Sequence, residues 1–261
     1  MRLLSPSATQ IVPLRSTNTS PGCCSSPGPA PGPTPLQEPW SLAVDEQGFV
    51  YVADTWNHRI VKFSQTLQYM AAWGRPAAQT SPPGPLDLFG PRDIMIGEDG
   101  SVLITDTGHN RIISYTRDGQ PMADYGLSGT ELGKFQEPVS LARDIQGRIY
   151  IADAWNGRIQ RFERGFTGAP ASVNVPWTSH EVPDKPYIAT LSEGRVLATV
   201  PENGSLMLFD ANLRLVGTWR LEAGSKPIGV APTADGGFVF TDSLHDQLQI
   251  VPGAKVSELF K

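Results

Sequence analysis

The chain has 261 residues, 26 acidic against 21 basic, and a net charge of −5. This mild acidity supplies no basic face for neutralising phosphates and argues against a nucleic-acid partner. The two cysteines, Cys23 and Cys24, are adjacent and cannot staple separate segments, and no run approaches the roughly 18–20 apolar residues of a membrane span.

Residues 1–38 contain eight prolines, with Pro27, Pro29, Pro31, Pro33 and Pro35 at every second position. So little apolar surface cannot offset the entropy of ordering, and the stretch reads as a disordered, extended linker. Its opening, MRLLSPSATQIVPLRS, lacks the uninterrupted apolar core of a signal peptide and gives no readable compartment. Composition changes at Leu36–Trp40, and a second domain is expected over 39–261.

That domain is built on one phrase. VYVADTWNHRIVKF (Val50–Phe63) returns as VLITDTGHNRIISY (Val102–Tyr115) and IYIADAWNGRIQRF (Ile149–Phe162). Two degraded copies follow, VLATVPENGSLMLF (Val196–Phe209) and FVFTDSLHDQLQIV (Phe238–Val251). Each repeat opens on a proline, at Pro39, Pro91, Pro138, Pro186 and Pro227, and a turn glycine follows at Gly48, Gly100, Gly147, Gly194 and Gly236. Between proline and glycine lies a short apolar strand such as SLAV or DIMI. A second strand precedes the polar tetrapeptide, and a third follows it with alternating side chains. LQYMAAW, QPMADY and RLVGTW read as fourth strands, and KVSELF as the fourth strand of the last repeat. No segment longer than ten residues has clear helical periodicity, so helix should be negligible. Four-stranded antiparallel meanders in tandem bury their faces by packing radially, which predicts an all-β propeller with five visible blades.

The combination PxxLAVDxxGxVYVADTxNHRI strongly resembles the NHL repeat, with its signature at Asn57-His58-Arg59 and further copies at Asn110-Arg111 and Asn156-Gly157-Arg158. The resemblance covers 39–166 well and 184–261 loosely. It implies the propeller fold, commonly with six blades, so six-bladed closure is a second possibility for the five visible repeats. It implies little about function, because family members include RNA binders, lyases and passive scaffolds. The order of three good repeats, an irregular segment and KPYIA (Lys185–Ala189) is also similar to the C-terminal propeller of large bacterial glycosyltransferase-like membrane proteins. That likeness implies an extracytoplasmic domain.

Within the phrase, Asp54, Asp106, Asp153 and Asp242 share the slot ending the second strand, and Val200 fills it in the fourth repeat. Carboxylates there are expected to accept backbone N–H groups of the following turn rather than to ring a metal. Arg59, Arg111 and Arg158 begin the third strand and are expected to pair with these aspartates or with a neighbouring blade. The fourth repeat loses Asp and Arg together, as one structural unit would. His58, His109 and His245 occupy non-equivalent loop positions and are not expected to share a zinc ion.

The slot after each opening proline varies in chemistry: Trp40, Arg92, Val139, Tyr187 and Ile228. Trp56 and Trp155 hold matching loop positions. Such aromatics beside an arginine suit stacking on sugar rings or capping a peptide, although large aromatics also serve as plugs between blades. No GxSxG, HExxH or phosphate-cradling loop is present, so no catalytic residue, metal or cofactor is expected. The sequence reading is therefore a monomeric, non-enzymatic binding or scaffold propeller. It would recognise a glycan, peptide or protein at Trp40, Trp56, Arg92, Trp155 and Tyr187, with no contact to nucleic acid or membrane. The alternative is a metal-dependent lactonase- or lyase-like enzyme with its site in the axial channel.

Overall fold

A computed structural model describes residues 10–13, 35–76, 83–181 and 184–260. Most of the stretch read as linker, 1–38, lies outside the described residues. The fold is an all-β propeller with five four-stranded antiparallel blades. The first is built from Ser41–Val44, Val50–Asp54, Arg59–Phe63 and Tyr69–Trp73. The second runs Pro91–Ile96, Val102–Asp106, Arg111–Tyr115 and Pro121–Tyr125. The described residues cluster into two compact units, one lying within 16–140 and the other within 1–15 and 141–261. The boundary falls inside Pro138–Arg143, the first strand of the third blade.

Local chemistry sets the hairpins. In the turn after the first strand, Asp45 accepts the backbone N–H groups of Gln47 and Phe49, and Asp144 does the same for Gln146 and Arg148. These side chains substitute for backbone partners that a tight turn cannot supply. The first four polar tetrapeptides each form one 3-10 turn closed by a residue in the left-handed region: His58, Asn110, Gly157 and Gly204 at φ 53°, 58°, 59° and 63°.

In the 16–140 unit, Tyr51, Ala53, Ile60 and Trp73 of the first blade pack on Ile94, Val102, Ile104 and Tyr115 of the second. Alternating residues of each strand supply this layer, as a period of two requires. In the other unit, Leu197, Leu206 and Leu208 of the fourth blade meet Phe238, Phe240 and Val251 of the fifth.

Three expectations change. KVSELF is not a strand but part of a helix, Gly253–Leu259. Val256, Leu259 and Phe260 fall at helical spacing and join the fourth-and-fifth-blade core, a face too short to show periodicity in sequence. Gly217 admits this helix end, since a Cβ there would lie 2.2 Å from the Phe260 carbonyl oxygen. The fourth strand of the fifth blade is instead Gln10–Pro13, antiparallel to Gln247–Val251 with Gln10 opposite Ile250. The irregular segment of the third repeat forms its outer strand, Thr167–Asn174.

Candidate functional site

The repeat signature forms a buried polar node in each well-preserved blade. Asp54, Asp106, Asp153 and Asp242 are all fully buried. The arginine Nε donates to Oδ2 of the aspartate at 2.6 Å for Arg59–Asp54, 2.9 Å for Arg111–Asp106 and 2.7 Å for Arg158–Asp153. The same oxygen takes a second donor from the turn: the amides of Asn57 and Asn156 at 2.9 Å, the Nδ1 of His109 and His245 at 2.8 Å. His109 and His245 thus do the work of Asn57, consistent with their aligned positions.

The aspartates do not cap the following turn as expected. None of these turns has a side-chain cap bond from its aspartate. The other carboxylate oxygen accepts the backbone N–H of the segment leading into the repeat's first strand, from Gln37, Phe89 and Lys226 at 2.7, 2.8 and 2.8 Å. These three carboxylates, of Asp54, Asp106 and Asp242, therefore tie the second strand to a lead-in 16 or 17 residues earlier. A buried carboxylate with these donors is satisfied, and the node reads as structural.

Of the ligand-site candidates, the structure brings Trp40 and Arg92 together. The Arg92 guanidinium carbon lies 4.1 Å from the centre of the Trp40 ring, a cation–π contact at a largely desolvated arginine. Beside it stands Asp93, whose importance the sequence reading missed. Its Oδ1 accepts the Ser41 hydroxyl at 2.6 Å and its Oδ2 the Ser140 hydroxyl at 2.9 Å. The carboxylate therefore joins the first strands of three blades through the position two residues past each opening proline. A strand irregularity between Pro91 and Ile94 makes room for it, and the Thr105 hydroxyl accepts the Asp93 N–H at 2.7 Å.

Trp56 and Trp155 are 38% and 42% exposed, whereas Trp73 and Trp177 are buried. The plug between blades is the fourth-strand Trp73, edge-on to Tyr51 and tilted against Tyr115. The Trp56 indole N–H donates to Glu38 at 2.9 Å. Trp155 stacks on His180 with centres 4.6 Å apart, and the buried Lys185 ammonium lies 5.4 Å from its ring centre. Tyr187, half-buried, follows two residues on, with its N–H on the Thr199 hydroxyl at 2.8 Å. Close by, Asp184 pairs with Lys226 and accepts the Ser179 hydroxyl, which holds its carboxyl below the usual range. Sequence gave no signal for His180 and Lys185 beyond the KPYIA resemblance.

Among the described residues, no group of three or more His, Cys, Asp or Glu side chains is arranged to hold a metal ion. No described helix is long and apolar enough to cross a membrane.

The five blades, the Asp–Arg node of the first three and the left-handed turn closures define a repeat propeller of one recurrent type. The NHL repeat model matches residues 36–63 and 135–162, the leading parts of the first and third repeats. It is 26% identical over 143 residues to human NHL repeat-containing protein 3, a match spanning 48% of this chain and 41% of that protein. It is 32% identical over 127 residues to the human E3 ubiquitin-protein ligase TRIM32, spanning 45% of this chain and 19% of the ligase. The chain thus covers well under half the length of these relatives. A solved streptogramin B lyase superposes with a TM-score of 0.65 over 95% of this chain and 71% of the lyase, at 15% identity. That likeness establishes the fold.

Proposed function

We propose that the chain is a non-enzymatic recognition module that binds a protein or peptide partner through the loops joining second to third strands. One observation carries this reading. Trp56 and Trp155 occupy the same repeat position and both expose their indoles, and Leu244 at that position in the fifth repeat is 64% exposed. Large apolar side chains held in the open by rigid turns are what a partner-binding surface presents at its energetic centre. Trp40 with Arg92, and Tyr187 beside Lys185, complete the candidate ligand set. Glycan recognition is a narrower version of the same proposal, resting on the partly exposed ring of Trp56. The Pro-rich composition between the Gln10–Pro13 strand and the first blade suits a spacer, and an extracytoplasmic setting rests only on the likeness to bacterial membrane-protein propellers.

The test is a peptide-display and glycan screen with wild type beside the Trp56→Ala/Trp155→Ala double variant. A ligand retained by wild type and weakened at least about 30-fold in the variant is expected, the loss of about 2 kcal/mol typical of a central anchor. Equal binding would remove these tryptophans from the function. The enzymatic alternative draws on the fold likeness to streptogramin B lyase. Stoichiometric divalent metal in the purified protein, together with turnover of a lactone or of streptogramin B, would favour it.

A further inference from the structure

The signature histidine, His58, does not join the Asp–Arg node. It sits one position beyond Asn57 and reaches out of its own blade. Its backbone is left-handed at φ 53°, closing the turn through an N–H donated to the Thr55 carbonyl at 3.1 Å. That conformation sends the imidazole onto the segment leading into the second blade. Its ring stacks on Phe89, centres 5.0 Å apart and planes within 24°. Its Nδ1 accepts the backbone N–H of Gly90 at 2.9 Å. Gly90 is itself left-handed, at φ 60°, immediately before Pro91. A residue preceding proline is crowded out of helical conformations, so this lead-in needs outside restraint.

The next repeat makes the same bond with different chemistry. Asn110, in the His58 position and likewise left-handed, uses Oδ1 to accept the N–H of Glu137, which at φ 47° precedes Pro138. One lead-in is thus held by a side chain that titrates and the other by one that does not.

We propose that His58 is a proton-sensitive latch between the first and second blades, and that Asn110 is its proton-insensitive counterpart. To accept from Gly90, the neutral imidazole must carry its proton on Nε2. Protonation places a second N–H on Nδ1, donor against donor, and the bond is lost. Burial favours the neutral form and holds the His58 pKa below its ordinary value. Of the charged groups facing the ring, Asp106 favours the cation and His109 opposes it. Neither Phe89 nor Gly90 ionises, and Arg59 next in the chain is held by Asp54. The latch secures the lead-in to the strand that carries Arg92 and Asp93. Acidification should therefore loosen that strand's start before it affects the third blade.

Amide hydrogen exchange in the full chain tests this, with Glu137 as the internal reference and His58 protonation followed by NMR. Between about pH 7.5 and about pH 5, after correction for intrinsic rates, Gly90 protection should fall about fivefold relative to Glu137, the worth of one hydrogen bond. His58→Asn should restore a pH-independent Gly90 amide while leaving Glu137 unchanged. A Gly90-to-Glu137 ratio that stays constant while His58 titrates would overturn the proposal. So would a His58→Asn protein with the wild-type pH dependence, or a His58 that stays neutral throughout.

Discussion

The third and fourth blades are neighbours in sequence, with their second and third strands in one compact unit, and they solve the same turn differently. In the third, Asp153 lies opposite Arg158 and the two form the buried ion pair of the node. In the fourth, Val200 lies opposite Ser205 in the same register, with Val200 fully buried and Ser205 donating to Asn203. Both turns close on a left-handed glycine, Gly157 or Gly204. Turn geometry and strand register therefore survive complete loss of the ion pair. The turn is specified by its backbone and apolar ladder, and the charges stabilise what those already determine. A buried ion pair can give way to a packed apolar residue at little cost, whereas half of one cannot.

The largest effect should come from breaking the third blade's node one residue at a time. Asp153→Ala strands a buried guanidinium and should cost about 3 kcal/mol in urea unfolding. Asp153→Val with Arg158→Ser, which rewrites the third blade as the fourth, should cost about 1 kcal/mol, about 2 kcal/mol less than the single variant. If the single and double variants lose equal stability, the charges and not the backbone define the turn.

A smaller effect sharpens the comparison from the backbone side. An L-residue in the left-handed region costs about 1–2 kcal/mol, and the surroundings of the two glycines differ. A Cβ on Gly204 would lie 2.7 Å from the Ser225 carbonyl oxygen, whereas one on Gly157 would lie 3.3 Å from that of Trp177. Gly204→Ala should therefore lose about 2 kcal/mol and Gly157→Ala about 1 kcal/mol in thermal melts. The reverse order would show that the fourth turn tolerates movement that the third does not.

The smallest effect lies in the fifth blade, where His245 stands in place of the third blade's Asn156. Its bond to Asp242 raises the histidine pKa. A raised folded-state pKa contributes stability below the unfolded value of about 6.5 that is lost as pH rises through the folded value. His245→Asn should flatten that small slope in stability-against-pH curves, opposite in sign to the His58 effect. An unchanged slope would place the titration elsewhere.

The strand pattern was legible because each repeat restates it. Five copies of one alternation, with glycine and proline at fixed offsets, average out the ambiguity of any single strand. Gln10–Pro13 was not legible, since nothing in a Pro-rich context marks a strand whose partner lies beyond residue 246. The carboxylates' partners were misjudged for a related reason: local rules point to the next turn, but the N–H they accept is 16 or 17 residues earlier. Among candidate site residues, Trp40 and Arg92 were legible as occupants of one slot, whereas their contact needed the structure. Asp93 was passed over because its slot reads Ser, Asp, Ser in the first three repeats, and a single acid among small polar residues looks incidental until its hydroxyl partners are seen.

The pairing of Gln10–Pro13 with Gln247–Val251 has a consequence in time. These strands are the most widely separated pair in any of the five sheets, so their contact is the costliest in loop-closure entropy. Contacts of such separation slow folding, because their ordering cost precedes any return. During synthesis the fifth blade must wait for residues near 250, with its third strand's edge open until the early segment docks. The last sheet begun by the chain is the one that its earliest described residues complete.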